Sequence, residues 1–137
     1  GDHIAKIDTA TGAAAVVDPP KPGSGPRRIW SDSKGMLWVS LWRSGGLGRY
    51  DPVAGSWKVF PMPNSTTGTY AVFVDDQDRV WASDWPANAL QRLDPATGSF
   101  MTFVSDRKGA NVRQMLGRSG EMWAAESGTN RLAVVRD

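Results

Sequence analysis

The chain has 137 residues, seven Trp, no Cys and a formal net charge of +2. This length suffices for one domain with a core, and the lack of Cys excludes disulfides and Cys-ligated zinc or iron–sulfur centres. Lys and Arg are scattered, so no basic footprint for nucleic acid stands out, and no apolar run approaches a membrane-spanning helix in length.

In chain order, the first predicted element is the strand "HIAKID" (3–8), which runs into the turn "DTATG" (8–12). A second unit follows over about 27–60, with "WVSLWR" (38–43), "LGRYD" (47–51) and the turn "DPVAG" (51–55). A third spans 70–103 and is the most regular: "AVFV" (71–74), "RVWASD" (79–84), "ALQRLD" (89–94) and "SFMTF" (99–103). Its turns are "DDQD" (75–78), "PAN" (86–88) and "PATG" (95–98). The last unit, 112–137, holds "EMWAAESG" (121–128) and "LAVVR" (132–136), with Arg136 where the earlier units have Asp.

These units are copies of one another. Asp8, Asp51 and Asp94 are 43 residues apart, and Trp38, Trp81 and Trp123 recur at intervals of 43 and 42. All segments are short, rich in β-branched and aromatic residues, and bounded by turn clusters. No apolar period of 3.6 is sustained, so helix is expected to be negligible. Four short antiparallel strands at a period of about 42 residues predict an all-β fold of β-propeller blades. The recurring Trp of the second strand is expected to fill the space between blades. In the turns, Asp binds amides with its side chain, Pro sets φ, and Gly supplies a positive φ.

The units amount to two complete blades flanked by two partial ones, whereas propellers close with about 4 to 8 blades. Open edges carry unpaired backbone groups. Two arrangements are therefore expected: two copies closing a ring of about six blades, or the C-terminal part of a longer propeller with a missing N-terminal part supplying the closing strand. Gly1 falls in mid-pattern without a start methionine, which favours the second.

The stretches "GDHIAKIDTATG" (1–12), "SDSKGMLWVSLW" (31–42), "DDQDRVWASDW" (75–85) and "RSGEMWAAESG" (118–128) resemble the virginiamycin B lyase (streptogramin B lyase) family, across essentially the whole chain. That resemblance implies a seven-bladed propeller. It implies linearisation of streptogramin B-type cyclic depsipeptides by elimination at the ester, with Mg²⁺ held by glutamates and a histidine as acid/base. The family's metal acid, the last residue of Trp-x-x-acid, falls on Glu126, with Asp84 and Leu41 at that position one and two blades earlier. Its imidazole, fourteen residues before that acid, falls on Val112, with Tyr70 and Arg27 in the earlier blades, and a second acid position falls on Ala110. A one-residue shift would offer Asn111 and Arg113 instead. The metal acid is thus present and the imidazole absent.

The residues themselves leave alternatives open. Glu126 and Asp84 either hold Mg²⁺ at a channel mouth, as oxygen donors suit a hard cation, or end their strands by bonding to nearby backbone. Trp42 and Trp85 offer a flat wall for a ring-rich ligand or pack between blades. Tyr70 is a candidate proton donor or a strand-edge aromatic. Arg27, Arg28 and Arg113, at the starts of first strands, bind an anionic ligand or form a solvated face. "DDQD" (75–78) reads as a hairpin turn rather than a calcium loop, and His3, the only histidine, as an exposed terminal residue. Two functions follow: a Mg²⁺-dependent lyase acting on a cyclic peptide or ester, or a non-catalytic propeller that binds a ligand or protein. A lactone-hydrolysing propeller of the gluconolactonase kind is a weaker third, since its metal-site acids are not evident. The compartment is left open.

Overall fold

The computed structural model describes residues 2–136 as thirteen strands, with no helix among them. β1 (Ile4–Ile7) and β2 (Ala14–Val17) form a hairpin. β3 (Pro26–Ser31), β4 (Leu37–Leu41), β5 (Leu47–Asp51) and β6 (Ser56–Phe60) form a four-stranded antiparallel meander. β7 (Thr69–Val74), β8 (Val80–Asp84), β9 (Ala89–Asp94) and β10 (Ser99–Val104) repeat it. β11 (Val112–Arg118), β12 (Glu121–Glu126) and β13 (Arg131–Arg136) form a last sheet of three. The last three sheets stand face to face, and β7 lies between β3 and β11 along the inner edge of the arc.

The turns form as their residues dictate. Asp8 Oδ1 accepts from the amides of Ala10 and Thr11, both at 2.9 Å. Asp51 Oδ1 does the same with Val53 and Ala54 at 2.8 and 3.0 Å. The glycines closing these turns, Gly12 and Gly55, have φ of 74° and 67°, the left-handed region that a side chain disfavours. "DDQD" is indeed a hairpin turn, in which the Asp78 amide donates to the Asp75 carbonyl at 3.0 Å.

The core sits between blades because strand side chains alternate. On β7, Val72 and Val74 pack toward the preceding blade with Trp38, Leu47 and Phe60. Ala71 and Phe73 pack the other way, with Trp81, Met115 and Met122. The recurring Trp fills the inter-blade space in two of its three copies: Trp38 and Trp81 are buried. Trp123 departs from that expectation, being 36% exposed, because no further blade covers its face among the described residues.

Two buried serines tie adjacent inner strands together. Ser83 Oγ accepts from the Ala71 amide of its own blade at 2.8 Å and donates to the Val112 carbonyl of the next blade at 2.8 Å. Ser40 repeats this, accepting from the Arg28 amide at 3.0 Å and donating to the Tyr70 carbonyl. Each serine sits beside a break in register of the innermost strand.

Candidate functional site

Those breaks shape the site. The register of β3 shifts between Pro26 and Ile29, that of β7 between Thr69 and Val72, and that of β11 between Val112 and Gln114. A bulge of one extra residue re-aims the side chains it carries. The re-aimed residues here are Arg27, Arg28, Tyr70 and Arg113.

They meet the residues that follow the second strands. Tyr70 stacks on Trp85 with ring centroids 5.1 Å apart and 14° between planes. Trp42 meets both rings edge-on, 5.5 Å from Tyr70 and 5.0 Å from Trp85. The guanidinium carbons of Arg27, Arg28 and Arg113 lie 5.7, 5.3 and 6.0 Å from the centre of the Tyr70 ring. Arg27 also approaches Trp42 at 5.5 Å, and Arg113 approaches Trp85 at 5.4 Å. Each such contact contributes roughly 0.5–1 kcal/mol at an exposed site. Mutual repulsion opposes this, at about 0.5 kcal/mol for two charges ~8 Å apart in water.

The backbone fixes both indoles. The Gly68 amide donates to the Trp42 carbonyl at 2.7 Å, and the Trp85 amide donates to the Gly68 carbonyl at 3.1 Å. Gly68 has φ of +80°, and a Cβ there would lie 2.5 Å from Cδ of Pro86. Trp85 Nε1 donates to the Val112 carbonyl at 2.9 Å, holding its ring toward the last blade. Trp42 and Trp85 line an open hollow of about 450 Å³ together with Arg43, Gly68, Pro86 and Asn111. That volume falls in the usual range for small-molecule sites, about 300–1,000 Å³.

The two acids stand apart from this cluster in environment. Asp84 and Glu126 are buried at the ends of β8 and β12. Asp84 accepts from the Ala87 amide and from Gln91 Nε2, both at 3.3 Å. Glu126 accepts from the Thr129 hydroxyl at 2.6 Å. Among the described residues, no three His, Cys, Asp or Glu gather where a metal could bind. Since Mg²⁺ demands near-octahedral oxygen coordination, the described residues do not by themselves make a magnesium site.

Sequence spacing alone placed Val112 level with Tyr70 and Arg27, and the register corrects this. Glu126 pairs with Val112 as Asp84 pairs with Thr69 and Leu41 with Pro26. Arg113 is therefore the residue level with Tyr70 and Arg27, while Val112 is buried in the core. The last blade is one residue shorter between these points, which shifts any count made backward from Glu126. His3 is exposed, and with Arg27 and Arg28 it lines a separate hollow of about 200 Å³. Spacing did not single out Ser40, Ser83 or Gly68. The shared Trp-x-Ser of "WVS" and "WAS" is the signal that could have found the serines.

Solved structures share this fold. The chain superposes on a catalytically inactive histidine-to-alanine variant of virginiamycin B lyase from Staphylococcus aureus, in complex with quinupristin, with a TM-score of 0.90 at 22% identity. It covers 100% of this chain and 46% of that one. The fold is that of a β-propeller. A streptogramin B lyase structure matches with a TM-score of 0.81 at 17% identity, covering 99% of this chain and 48% of that one. An auxiliary nutrient binding protein from Bacteroides ovatus matches with a TM-score of 0.73 at 14% identity, over 94% of this chain and 35% of that one. The chain thus spans less than half the length of these propellers. No protein-family model and no curated protein matches the sequence.

Proposed function

We propose that these blades are the binding wall of a virginiamycin B lyase-like propeller and take a ring-bearing organic molecule at the inner edge of the arc. The observation that carries this reading is the convergence of Trp42, Tyr70 and Trp85 beside an open hollow. Stacked and edge-on rings offer a large rigid contact area that orders few bonds on binding. The bulges and serine bridges hold this area in place without a ligand, which lowers the cost of association. Titrating tryptophan fluorescence with quinupristin tests the reading. Saturable quenching that is lost in Trp85→Ala supports it. Unchanged binding in Trp85→Ala overturns the placement of the site.

A second reading is a lyase that opens a cyclic depsipeptide by elimination at its ester. It is favoured by the likeness to two lyase structures and by the buried carboxylate of Glu126 at the family's acid position. Such an elimination needs a base to take the proton next to the ester carbonyl. Among this chain's cluster residues the only group able to exchange a proton near neutral pH without large perturbation is absent, since no imidazole is there. Mg²⁺ with Glu126 as one ligand belongs to this reading, and its other ligands and the base would come from outside these blades. Chromatography of quinupristin after incubation separates the readings. A new linear species of unchanged mass indicates elimination, and unaltered substrate indicates binding alone.

The partner surface follows from the last sheet. Leu116, Trp123 and Leu132 share one exposed face of it, the face that in the two preceding blades lies under the next blade. A further blade, from a second copy of the chain or from more of the same propeller, is the proposed cover.

A further inference from the structure

The arginines of the site differ from most others in the chain. Arg43, Arg79, Arg118, Arg131 and Arg136 each form an ion pair with an Asp or Glu. Arg27, Arg28 and Arg113 form none among the described residues, although all three lie within 6.0 Å of one phenol ring. A guanidinium laid against an aromatic face keeps its in-plane N–H donors free, and those donors match carboxylate and phosphate geometry. Three positive charges are therefore gathered on a platform of rings without a carboxylate partner among the described residues.

We propose that the molecule bound here is anionic: a flat ring bearing a carboxylate or a phosphate ester. The ring lies against Trp42 and Trp85, and the anion accepts hydrogen bonds from Arg113 with Arg27 or Arg28. This inference rests on the ring-binding reading above and adds the charge of the ligand. The bulges explain the convergence. Each innermost strand bulges at its start, so residues from three different blades turn toward one point. Binding an anion also relieves the repulsion among the three cations, which grows as salt is lowered.

The test uses three probes of similar shape, benzoate, phenyl phosphate and neutral benzamide, followed by tryptophan fluorescence and calorimetry. Benzoate or phenyl phosphate is expected to bind roughly ten-fold or more tightly than benzamide at low salt, with the advantage shrinking in about 0.5 M NaCl. Arg113→Gln is expected to weaken the anionic probe about ten-fold more than it weakens benzamide, and an equal loss for both would count against the anion proposal. The tighter of the two anions identifies the carboxylate or the phosphate as the natural group. Equal affinity for benzamide and both anions overturns the anion proposal while leaving the ring-binding reading intact. Unchanged binding of all probes in Trp42→Ala and Trp85→Ala, or no binding of any probe, overturns both.

Discussion

The indole N–H of Trp81 donates to Oδ2 of Asp75 at 2.9 Å, across the hairpin that joins β7 to β8. The same bond joins Trp38 to Asp32 at 2.9 Å. In the last blade Glu121 takes the acid's part, at 3.0 Å from Trp123 Nε1. The blade Trp is thus anchored at its polar end while its rings pack. Asp75 also accepts from the amides of Gln77 and Arg79 at 3.0 Å and from Arg79 Nε at 2.8 Å. Asp75→Ala strands a buried indole N–H and is expected to cost about 2–3 kcal/mol. Urea denaturation checks this, with the exposed neighbour Asp76→Ala expected to stay within about 0.5 kcal/mol of the parent.

The same repeat position should tolerate change very differently from blade to blade. Trp38 is fully buried between blades, so Trp38→Ala is expected to cost about 3–5 kcal/mol. Trp123 is 36% exposed on an uncovered face, and Trp123→Ala should cost about 1 kcal/mol. Equal losses in chemical denaturation would mean that the face of the last blade is covered in solution.

Tyr70 is placed by ring contacts, stacking on Trp85 and receiving three guanidinium groups. If its role is that platform, Tyr70→Phe keeps ligand affinity within about two-fold and Tyr70→Ala loses about ten-fold or more. A loss in Tyr70→Phe as large as in Tyr70→Ala would instead assign the work to the hydroxyl, as a proton donor or hydrogen-bonding group.

Acid should weaken the last blade. Hydrogen bonds from Arg118, Trp123 and Arg136 hold the Glu121 carboxyl down at about 2, against an ordinary value of 4.5. A depressed carboxylate contributes stability that is complete above its unfolded pKa and is lost as pH falls through the folded one. The contribution is therefore present above about 4.5 and fades toward about 2. Glu121→Gln should melt below the parent near neutral pH, with the gap closing across that window. A gap that stays constant down to about 2 would show that these bonds do not couple to folding.

The uncovered face predicts association. Leu116 and Leu132 are 54% and 71% exposed beside Trp123. Contiguous apolar patches of this kind mark interaction surfaces, and the outer strand β13 has no strand paired to its far edge among the described residues. Light scattering of the chain should give a mass above the monomer that rises with concentration, and Leu132→Lys with Leu116→Lys should lower it. A monomer at every concentration would count against this face as a docking surface.

Much of this was legible in the sequence because it is local. Asp-x-x-x-Gly turns, alternating strands and the recurring Trp depend on residues close in the chain, and they fixed strand number, blade order and the inter-blade place of Trp38 and Trp81. Each aromatic and arginine of the site could also be named one by one from its place in the repeat. Their meeting could not. It depends on three bulges and on bonds between blades, such as Ser83 to Val112 and Gly68 to Trp42, which join residues 29 and 26 apart. A period of 43 against 42 hides which residue the last bulge turns inward, and only the pairing of Glu126 with Val112 brings Arg113 level with Tyr70. The sequence by itself determined a chain of blades, because turn chemistry and side-chain alternation act over a few residues. Tertiary structure alone decided that three arginines and three aromatic rings share one place, because that depends on how one blade is hydrogen-bonded to the next.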